Sequence, residues 1–518
     1  MHEAFTRGPT DLPGEPTSPW LESTTETEYD ALETDLAVDV AVVGAGIAGL
    51  SAATEIRERG RSVAVLERDR IAAGITGKST AKLTSQHGLC YAHLREAFGR
   101  DRARQYAAVN EAAIDEVERR LEELGVDAGF ERRPAYVYGD SRDAIEREVD
   151  AAQEAGLPAS FVTSVPPFDR AQCAVRFDDQ ARFDPRTYLL ALADDLTSQS
   201  GTAIFEGTRV TDVAPGSRPQ LETSGGAVHA DAVVIATGFP ILDRAGYFAR
   251  LTPKRSYVLG LTLAGEPPDG LYYRAGEPYR SVRAHRGEDG TLLLVGGENH
   301  KPGQGGSTAD RYRRLERWAR ERFPVDSIEY RWSTQDYVSA DGVPFVGRLG
   351  AGAENVFVAT GFGGWGMTNG VAAGGLLADA IEGRDLPELE LYDPLRFTPK
   401  ASAPKTLTES ADAASQFATD WVRTLFSQEL ESIDPGEGRV IREGPKPVAV
   451  ARDDEGSLHA VSAVCTHMGC LVEWNDAEAS WDCPCHGSRF SPDGDVLEGP
   501  ATDELPSKDA PDSRRPEK

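Results

Sequence analysis

Short apolar runs punctuate the chain, and the first of them sets the plan. Val38–Val43 is a mostly apolar run of the kind that forms a buried strand. Gly44-Ala45-Gly46-Ile47-Ala48-Gly49 follows, then a helical segment from Leu50 to Arg59 that Gly60 stops. Ser62–Leu66 is a second apolar strand, ending at Glu67, so the pattern predicts a βαβ unit. Farther on, Tyr106, Val109, Ala113, Ile114, Val117, Leu121 and Leu124 recur at helical spacing, with Gly125 as the stop. Asp231–Gly238 predicts another buried strand ending in glycine, and Ser256–Leu263 and Thr291–Val295 are strand-like. Asn355–Thr360 is again a strand, followed by Gly361-Phe362-Gly363-Gly364-Trp365-Gly366 and a small-residue helix to about Ile381.

Residues 1–36 are rich in Pro, Thr, Glu and Asp and are expected to form an extended N-terminal arm. The segment 396–428 shifts to Pro, Ala, Ser and Thr with a helix-like end, Phe417–Phe426, and reads as a linker. Residues 429–507 are short strands and Gly/Pro turns, and 508–518 form a charged tail. With 518 residues, 40% hydrophobic and 27% charged, the chain has room for two or three domains with real cores.

Acidic residues number 84 against 55 basic, a formal charge of −29. That balance argues against a general nucleic-acid binder, which needs a positive surface. Only nine of the basic residues are Lys. An acidic, Lys-poor surface fits high-salt conditions, where screening relieves self-repulsion. No run of 18 apolar residues occurs, so no membrane span is expected, and the N-terminus lacks the pattern of a secretory signal. A cytoplasmic location is the expectation. Six cysteines make no disulfide scaffold, yet four of them crowd into residues 465–485.

The Gly44-x-Gly46-x-x-Gly49 fingerprint has the right context: a strand before, a helix after, and an acidic residue closing the next strand. The glycines permit a tight turn and close approach of a pyrophosphate to the helix N-terminus. Glu67 is placed to accept hydrogen bonds from a ribose diol. The hydroxyl-rich segment Gly74–Thr84 suits a diphosphate and a ribityl chain. Gly361–Gly366 also fits G-x-G-x-x-G, but no βαβ follows it, so a second nucleotide-binding domain is not expected.

With Ala236-Thr237-Gly238 and Ala359–Gly370 added, these motifs resemble the D-amino-acid oxidase/glycine oxidase superfamily of FAD-dependent oxidoreductases over roughly residues 37–395. The resemblance implies an α/β FAD-binding domain, Rossmann-like and of glutathione-reductase type. It also implies an interleaved α+β substrate domain within about 100–180 and 240–335. By the same resemblance Gly44, Gly46 and Gly49 would hold the pyrophosphate and Glu67 the adenosine ribose. Thr80, Ala81 and Lys82 would lie near the ribityl–flavin end, and Val210 would touch the adenine side through its backbone. Gly238 would close its strand beside the cofactor. Gly361, Gly364, Gly366 and Met367 would cover the isoalloxazine from a helix N-terminus, where the dipole stabilises negative charge.

The second motif is Cys465-Thr466-His467-Met468-Gly469-Cys470, followed by Cys483-Pro484-Cys485-His486-Gly487-Ser488-Arg489-Phe490. Two thiolates and two imidazoles suit either Zn(II) or a mixed-ligand iron–sulfur cluster. The arrangement resembles the Rieske [2Fe–2S] domain, a small all-β fold. That resemblance implies Cys465 and Cys483 on one iron and His467 and His486 on the other. It also implies a Cys470–Cys485 disulfide across the two loops, with Gly499-Pro500-Ala501 as the loop covering the cluster. Ser488 stands where high-potential members place a hydroxyl donor. Phe490 replaces their Tyr, so one hydrogen bond is missing and an intermediate potential is expected.

A flavin and a one-electron cluster on one chain lead to the functional expectation. Electrons would pass between a small organic substrate, an amine or amino acid oxidised at CH–NH, and the cluster by way of FAD. Two other readings stay open. One is a ferredoxin-linked reductase or oxygenase partner working in reverse. The other is a redox electron-transfer or sensor module without a small substrate. An external electron-transfer partner is expected in each case. In the resembling oxidases an Arg holds a substrate carboxylate and Tyr residues line the flavin face. The candidates are Tyr257, Tyr272, Tyr273, Arg274, Arg283 and Arg348, with Trp365 as a stacking residue and His87 and Lys82 as proton carriers. His285, His300 and His459 have no partner pattern, and Cys90 and Cys173 read as small buried hydrophobes. No G-x-S-x-G, H-E-x-x-H or P-loop occurs.

Overall fold

The computed structural model describes residues 12–168, 171–242, 245–287, 290–399, 402, 433–443 and 446–509. Most of the expected linker, with its Phe417–Phe426 segment, and the tail from residue 510 lie outside them.

The predicted βαβ unit forms as β1 (Leu36–Val43), α2 (Ile47–Glu58) and β2 (Val63–Leu66), with α1 (Pro19–Glu22) preceding it. Strand β3 (Thr202–Phe205) extends this sheet beyond β2. On the other side of β1 come β4 (Ala227–Ile235) and β9 (Val356–Thr360). All of these neighbours are parallel. Buried on both faces, the strands need continuous apolar runs, which is why the sequence shows them so plainly. The predicted helix ending at Gly125 is α3 (Arg100–Leu124), closed by Gly125 in the left-handed region. The small-residue helix is α5 (Gly366–Ile381), which packs on α2.

The second layer is a nine-stranded sheet. Its edge is β8 (Val325–Ser339), followed by β5 (Leu251–Leu263), β7 (Gly290–His300) and β6 (Arg280–Gly287). Helix α4 (Ala309–Arg320) covers one face. The strand-like runs Ser256–Leu263 and Thr291–Val295 are parts of β5 and β7. The C-terminal segment is all-β: a three-stranded and a four-stranded sheet around buried Trp481, Phe490 and Val461.

The N-terminal arm differs from its expected form. Residues 12–35 run along the body as a strap. Glu15 bridges to Tyr330 on β8. Ser18 caps α1, whose Pro at N1 has no N–H to lose. Trp20 is fully buried, donates to the Ser79 carbonyl (2.8 Å) and lies over Arg283 and His285. An arm that buries an indole gains stability by staying down, about 1.5–3 kcal/mol for a large apolar side chain.

Candidate redox site

The pyrophosphate turn is made of backbone. Gly44 has φ +103°, and a Cβ at Gly49 would fall on the Gly44 carbonyl oxygen. A larger residue at either position would break the turn. The first ladder bond of α2 runs from Leu50 N to the Gly46 carbonyl, which leaves the first-turn amides outside the ladder. The Thr76 hydroxyl takes one of them, from Ile47 (3.1 Å). Glu67 accepts from the amides of Ala45 (2.7 Å) and Asp69 (2.8 Å). Its carboxylate keeps further lone pairs for a ribose diol. Burial pushes its carboxyl up, and the two amides counter that. Val210 sits with Val43 and Leu66 in the core beneath this turn. A glycine cradle, an open helix N-terminus and a carboxylate at the next strand end fit the dinucleotide of FAD.

β5 and β8 alternate between buried and half-buried residues. Pro253, Arg255, Tyr257, Ser333, Gln335 and Tyr337 are buried, whereas Thr252, Lys254, Ser256, Thr334, Asp336 and Val338 are half-buried. The half-buried set shares one face of the sheet. Lys254 and Asp336 are direct cross-strand partners on it. Tyr279, Tyr273 and Trp365 pack in a row, with ring centroids 5.2 and 5.1 Å apart, and Lys254 Nζ lies over the Tyr279 ring. Thr80, Ser281 and the Tyr279 hydroxyl surround Gly296. Lys82 Nζ donates to the Tyr272 carbonyl (2.7 Å) and to the Ser281 hydroxyl. Burial, reinforced by Arg283, pushes its ammonium well down. Asp336 accepts from the Gly364 and Tyr337 amides. Burial raises its carboxyl to about 6 against those two bonds. Gly361 and Gly364 both have positive φ and deliver the chain into α5.

The cluster loops converge as their motif requires. Cys465 and Cys483 are buried, and their sulfurs share a hydrogen bond. That bond, ahead of the other influences, draws Cys465 down to about 7. The His467 and His486 rings stand 5.0 Å apart and nearly perpendicular. His486 Nδ1 is buried and has no hydrogen-bond partner among the described residues, an orphan nitrogen of the kind a metal takes up. Two adjacent sulfurs opposite two imidazoles fit a [2Fe–2S] cluster with mixed ligands. Cys470 and Cys485 form a disulfide between the loops. Their sulfurs and that of Cys483 lie within 4.8 Å of one another, but the bonded pair offers no thiolates. The Ser488 hydroxyl oxygen accepts from the Ala501 amide (3.0 Å) and its proton reaches Cys465.

The cluster domain docks on the buried face of β5 and β8. Arg255 pairs with Glu478 and Glu498, and Arg489 pairs with the same two acids and with Asp482. Burial alone would raise Glu478, but Arg255 and Arg489 outweigh it and hold its carboxyl at about 2. The Gln335 amide donates to the Gly487 carbonyl (2.7 Å), and the Tyr337 phenol to the Gly499 carbonyl (2.8 Å). The histidine edge is turned toward the FAD domain: Phe239 lies 6.3 Å from His467, and Phe248 6.0 Å from His486.

Of the substrate-binding candidates, Trp365 and Tyr273 meet, with ring centroids 5.1 Å apart. The others stand apart. Tyr257 is on the opposite sheet face, bonded to His300 Nε2 (3.0 Å). Tyr272 stacks on Tyr136. Arg274 is paired with Asp140 (2.7 Å), and Arg348 is exposed on the strand Phe345–Arg348. Arg283 is sealed beneath Trp20; burial lowers it to about 9. His87 stacks on Trp365, with its two ring nitrogens engaged by Tyr106 and the Thr84 carbonyl, and burial lowers it to about 3. Sequence reasoning missed Lys254, Tyr279, Asp336 and Tyr337. The period-2 alternation of β5 was available as a signal, but polar residues on both faces of β8 hide its inner side.

Residues 39–380 match the FAD dependent oxidoreductase (DAO) family and residues 420–509 match the Rieske [2Fe-2S] domain. The chain therefore belongs to the FAD-dependent oxidoreductase family, extended by a C-terminal Rieske domain, and its cofactors are FAD and a [2Fe–2S] cluster. It is similar over nearly its whole length to the "Putative Rieske 2Fe-2S iron-sulfur protein YhfW" of Bacillus subtilis: 35% identical, covering 94% of this chain and 96% of that one. Among solved structures it shares the fold of glycine oxidase from Geobacillus kaustophilus, with TM-score 0.56 and 20% identity over 70% of this chain and 99% of that one. L-proline dehydrogenase from P. horikoshii is alike, with TM-score 0.57 and 19% identity over 71% and 98%. No helix among the described residues is long and apolar enough to cross a membrane.

Proposed function

We propose that the protein oxidises an amine or amino acid at a CH–NH bond and passes the electrons, one at a time, through its Rieske cluster to an external one-electron carrier. Bound FAD supplies the hydride acceptor and the cluster the single-electron carrier. The chain's own part is to place them. Gly44, Gly46, Gly49 and Glu67 hold the dinucleotide, and Cys465, Cys483, His467 and His486 hold the irons. Tyr273, Tyr279 and Trp365 wall the substrate space. Lys254 and Asp336 offer it one positive and one negative group directly across the strands, which suits a zwitterion. The fold shared with glycine oxidase and L-proline dehydrogenase supports the same substrate class.

One observation supports the reading: β8 bonds the Gly364 turn and the cluster-motif loops at once. Asp336 bonds the Gly364 turn on one face, while Gln335 and Tyr337 bond the cluster loops on the other. The test is an anaerobic titration of the holoprotein with amines and amino acids, reading flavin and iron bands together. Flavin bleaching followed by cluster reduction is expected. Flavin bleaching with a cluster that stays oxidised would remove the electron-transfer half, and no bleaching by any amine or amino acid would remove the substrate class.

A further inference from the structure

We propose that Tyr337 is the positioning residue that couples the flavin side to the cluster, its main chain fastened to the flavin-covering turn and its phenol to the cluster-covering loop. The inference rests on the function proposed above. The Tyr337 carbonyl accepts from Gly363 N (2.9 Å), and Val338 bridges to Phe362 in the same turn. The buried phenol donates to the Gly499 carbonyl (2.8 Å) and accepts from Gln335 Nε2 (3.1 Å). Two residues beyond Gly499, the Ala501 amide donates to Ser488, whose hydroxyl reaches Cys465. Covalent and hydrogen bonds thus run without a break from the turn at Gly363 to a cluster sulfur.

The alternative path crosses gaps. The Tyr337 ring meets Phe239 edge-on at 5.2 Å, and Phe239 meets His467 at 6.3 Å. Electron tunnelling decays more steeply across van der Waals gaps than along bonds, and the bonded path is the one we assign to the transfer. Arg255 also fastens the cluster domain, and among the described residues its side-chain partners are Glu478 and Glu498, neither of them in the flavin-covering turn. The step across Tyr337 is a single-electron transfer: the reduced flavin loses one electron, the oxidised cluster gains it, and the phenol keeps its proton throughout.

The test uses the full-length holoprotein without any amine. The flavin is photoreduced by a flash with deazaflavin and EDTA, and cluster bleaching is followed in time. Tyr337→Phe keeps the ring and the main chain and removes the phenol with its two hydrogen bonds, to the Gly499 carbonyl and from Gln335. It is expected to slow cluster reduction several-fold at unchanged flavin and cluster midpoint potentials, an effect that a purely structural role would not produce. Phe239→Leu is expected to slow it less. Should Tyr337→Phe not fold, Ala501→Pro deletes the amide that reaches Ser488 and must give the same slowing. Wild-type transfer with an equally fast Tyr337→Phe overturns this inference alone, as does a larger effect of Phe239→Leu. A wild-type protein whose photoreduced flavin never reduces the cluster overturns the proposed electron route and this inference with it.

Discussion

At residues 44–49 the chain offers backbone for the dinucleotide proposed there, and at residues 465–486 it offers four side chains for the proposed cluster. The first site depends on what is missing, a Cβ at Gly49 that would strike the Gly44 carbonyl. The second depends on what is present, two buried sulfurs and two imidazoles. A site built from backbone tolerates many changes of side-chain chemistry and few additions of bulk. A site built from ligands tolerates changes of bulk around it and no loss of a ligand.

The sharpest way to break that contrast is to remove one ligand. Cys483→Ser leaves an oxygen where iron needs a thiolate, so the cluster should be lost outright. Iron content and the reduced-cluster EPR signal should fall to background while bound FAD stays at wild-type level. Retention of both signals would show that Cys483 is not a ligand. Next in size is Gly49→Val. Overpacking of this kind costs about 1–3 kcal/mol, which corresponds to FAD binding about 5–150-fold weaker. Cluster content should be unchanged. A Gly49→Val protein that binds FAD as tightly as wild type would mean that the turn opens more easily than its geometry implies.

Both candidate sites can be marked in the sequence because each is local. The pyrophosphate turn lies in one βαβ unit, and the cluster ligands lie within residues 465–486. The parallel strands were legible for the same reason: burial on both faces writes itself as an unbroken apolar run. The proposed substrate side was not legible because it is assembled from distant strands. Lys254 and Asp336 are 82 positions apart and become neighbours only through the β5–β8 register. Arg283 looked like a carboxylate anchor because it is an Arg on a strand of the right domain. The N-terminal strap covers it with Trp20, and no periodicity in a Pro- and Thr-rich arm announces that contact. The docking of the cluster domain was hidden likewise, since Arg255 and Glu478 belong to different domains.

That docking gives the third prediction. Arg255→Met keeps the length of the side chain and removes the charge that Glu478 and Glu498 face. Arg489 still faces both acids, so the loss is expected to fall below the cost of an uncompensated buried charge, about 3–5 kcal/mol, and the cluster domain should come away from β5 and β8 more readily. Limited proteolysis should then release a cluster-bearing C-terminal fragment, and flavin-to-cluster transfer should slow, while both cofactors remain bound. An Arg255→Met protein as protease-resistant as wild type would leave the ion cluster without a role in docking. Of the two faces of this sheet, only the cluster-facing one should respond.

Acid separates the two faces by sign. Glu478, on the cluster-facing side, is held at about 2 in the docked state, below its ordinary 4.5. A depressed carboxyl contributes stability that is fully present above pH 4.5 and is lost as pH falls through 4.5 toward 2. Glu498, lowered by Arg489 and Arg255 against its own burial, acts in the same direction. Asp336, on the flavin-facing side, behaves oppositely. Burial raises it from 3.8 to about 6, so the folded chain binds that proton more tightly than the unfolded chain. Its contribution therefore grows as pH falls from above 6 toward 3.8. Protease release of the cluster domain should stay flat from pH 7 to about 5 and rise below about 4.5, and Glu478→Gln should flatten that rise. Asp336→Asn should leave the release profile as it is and remove a pH-dependent share of global stability between pH 6 and 4. If Asp336→Asn moved the acid release of the cluster domain and Glu478→Gln did not, the two faces would have been assigned the wrong way round.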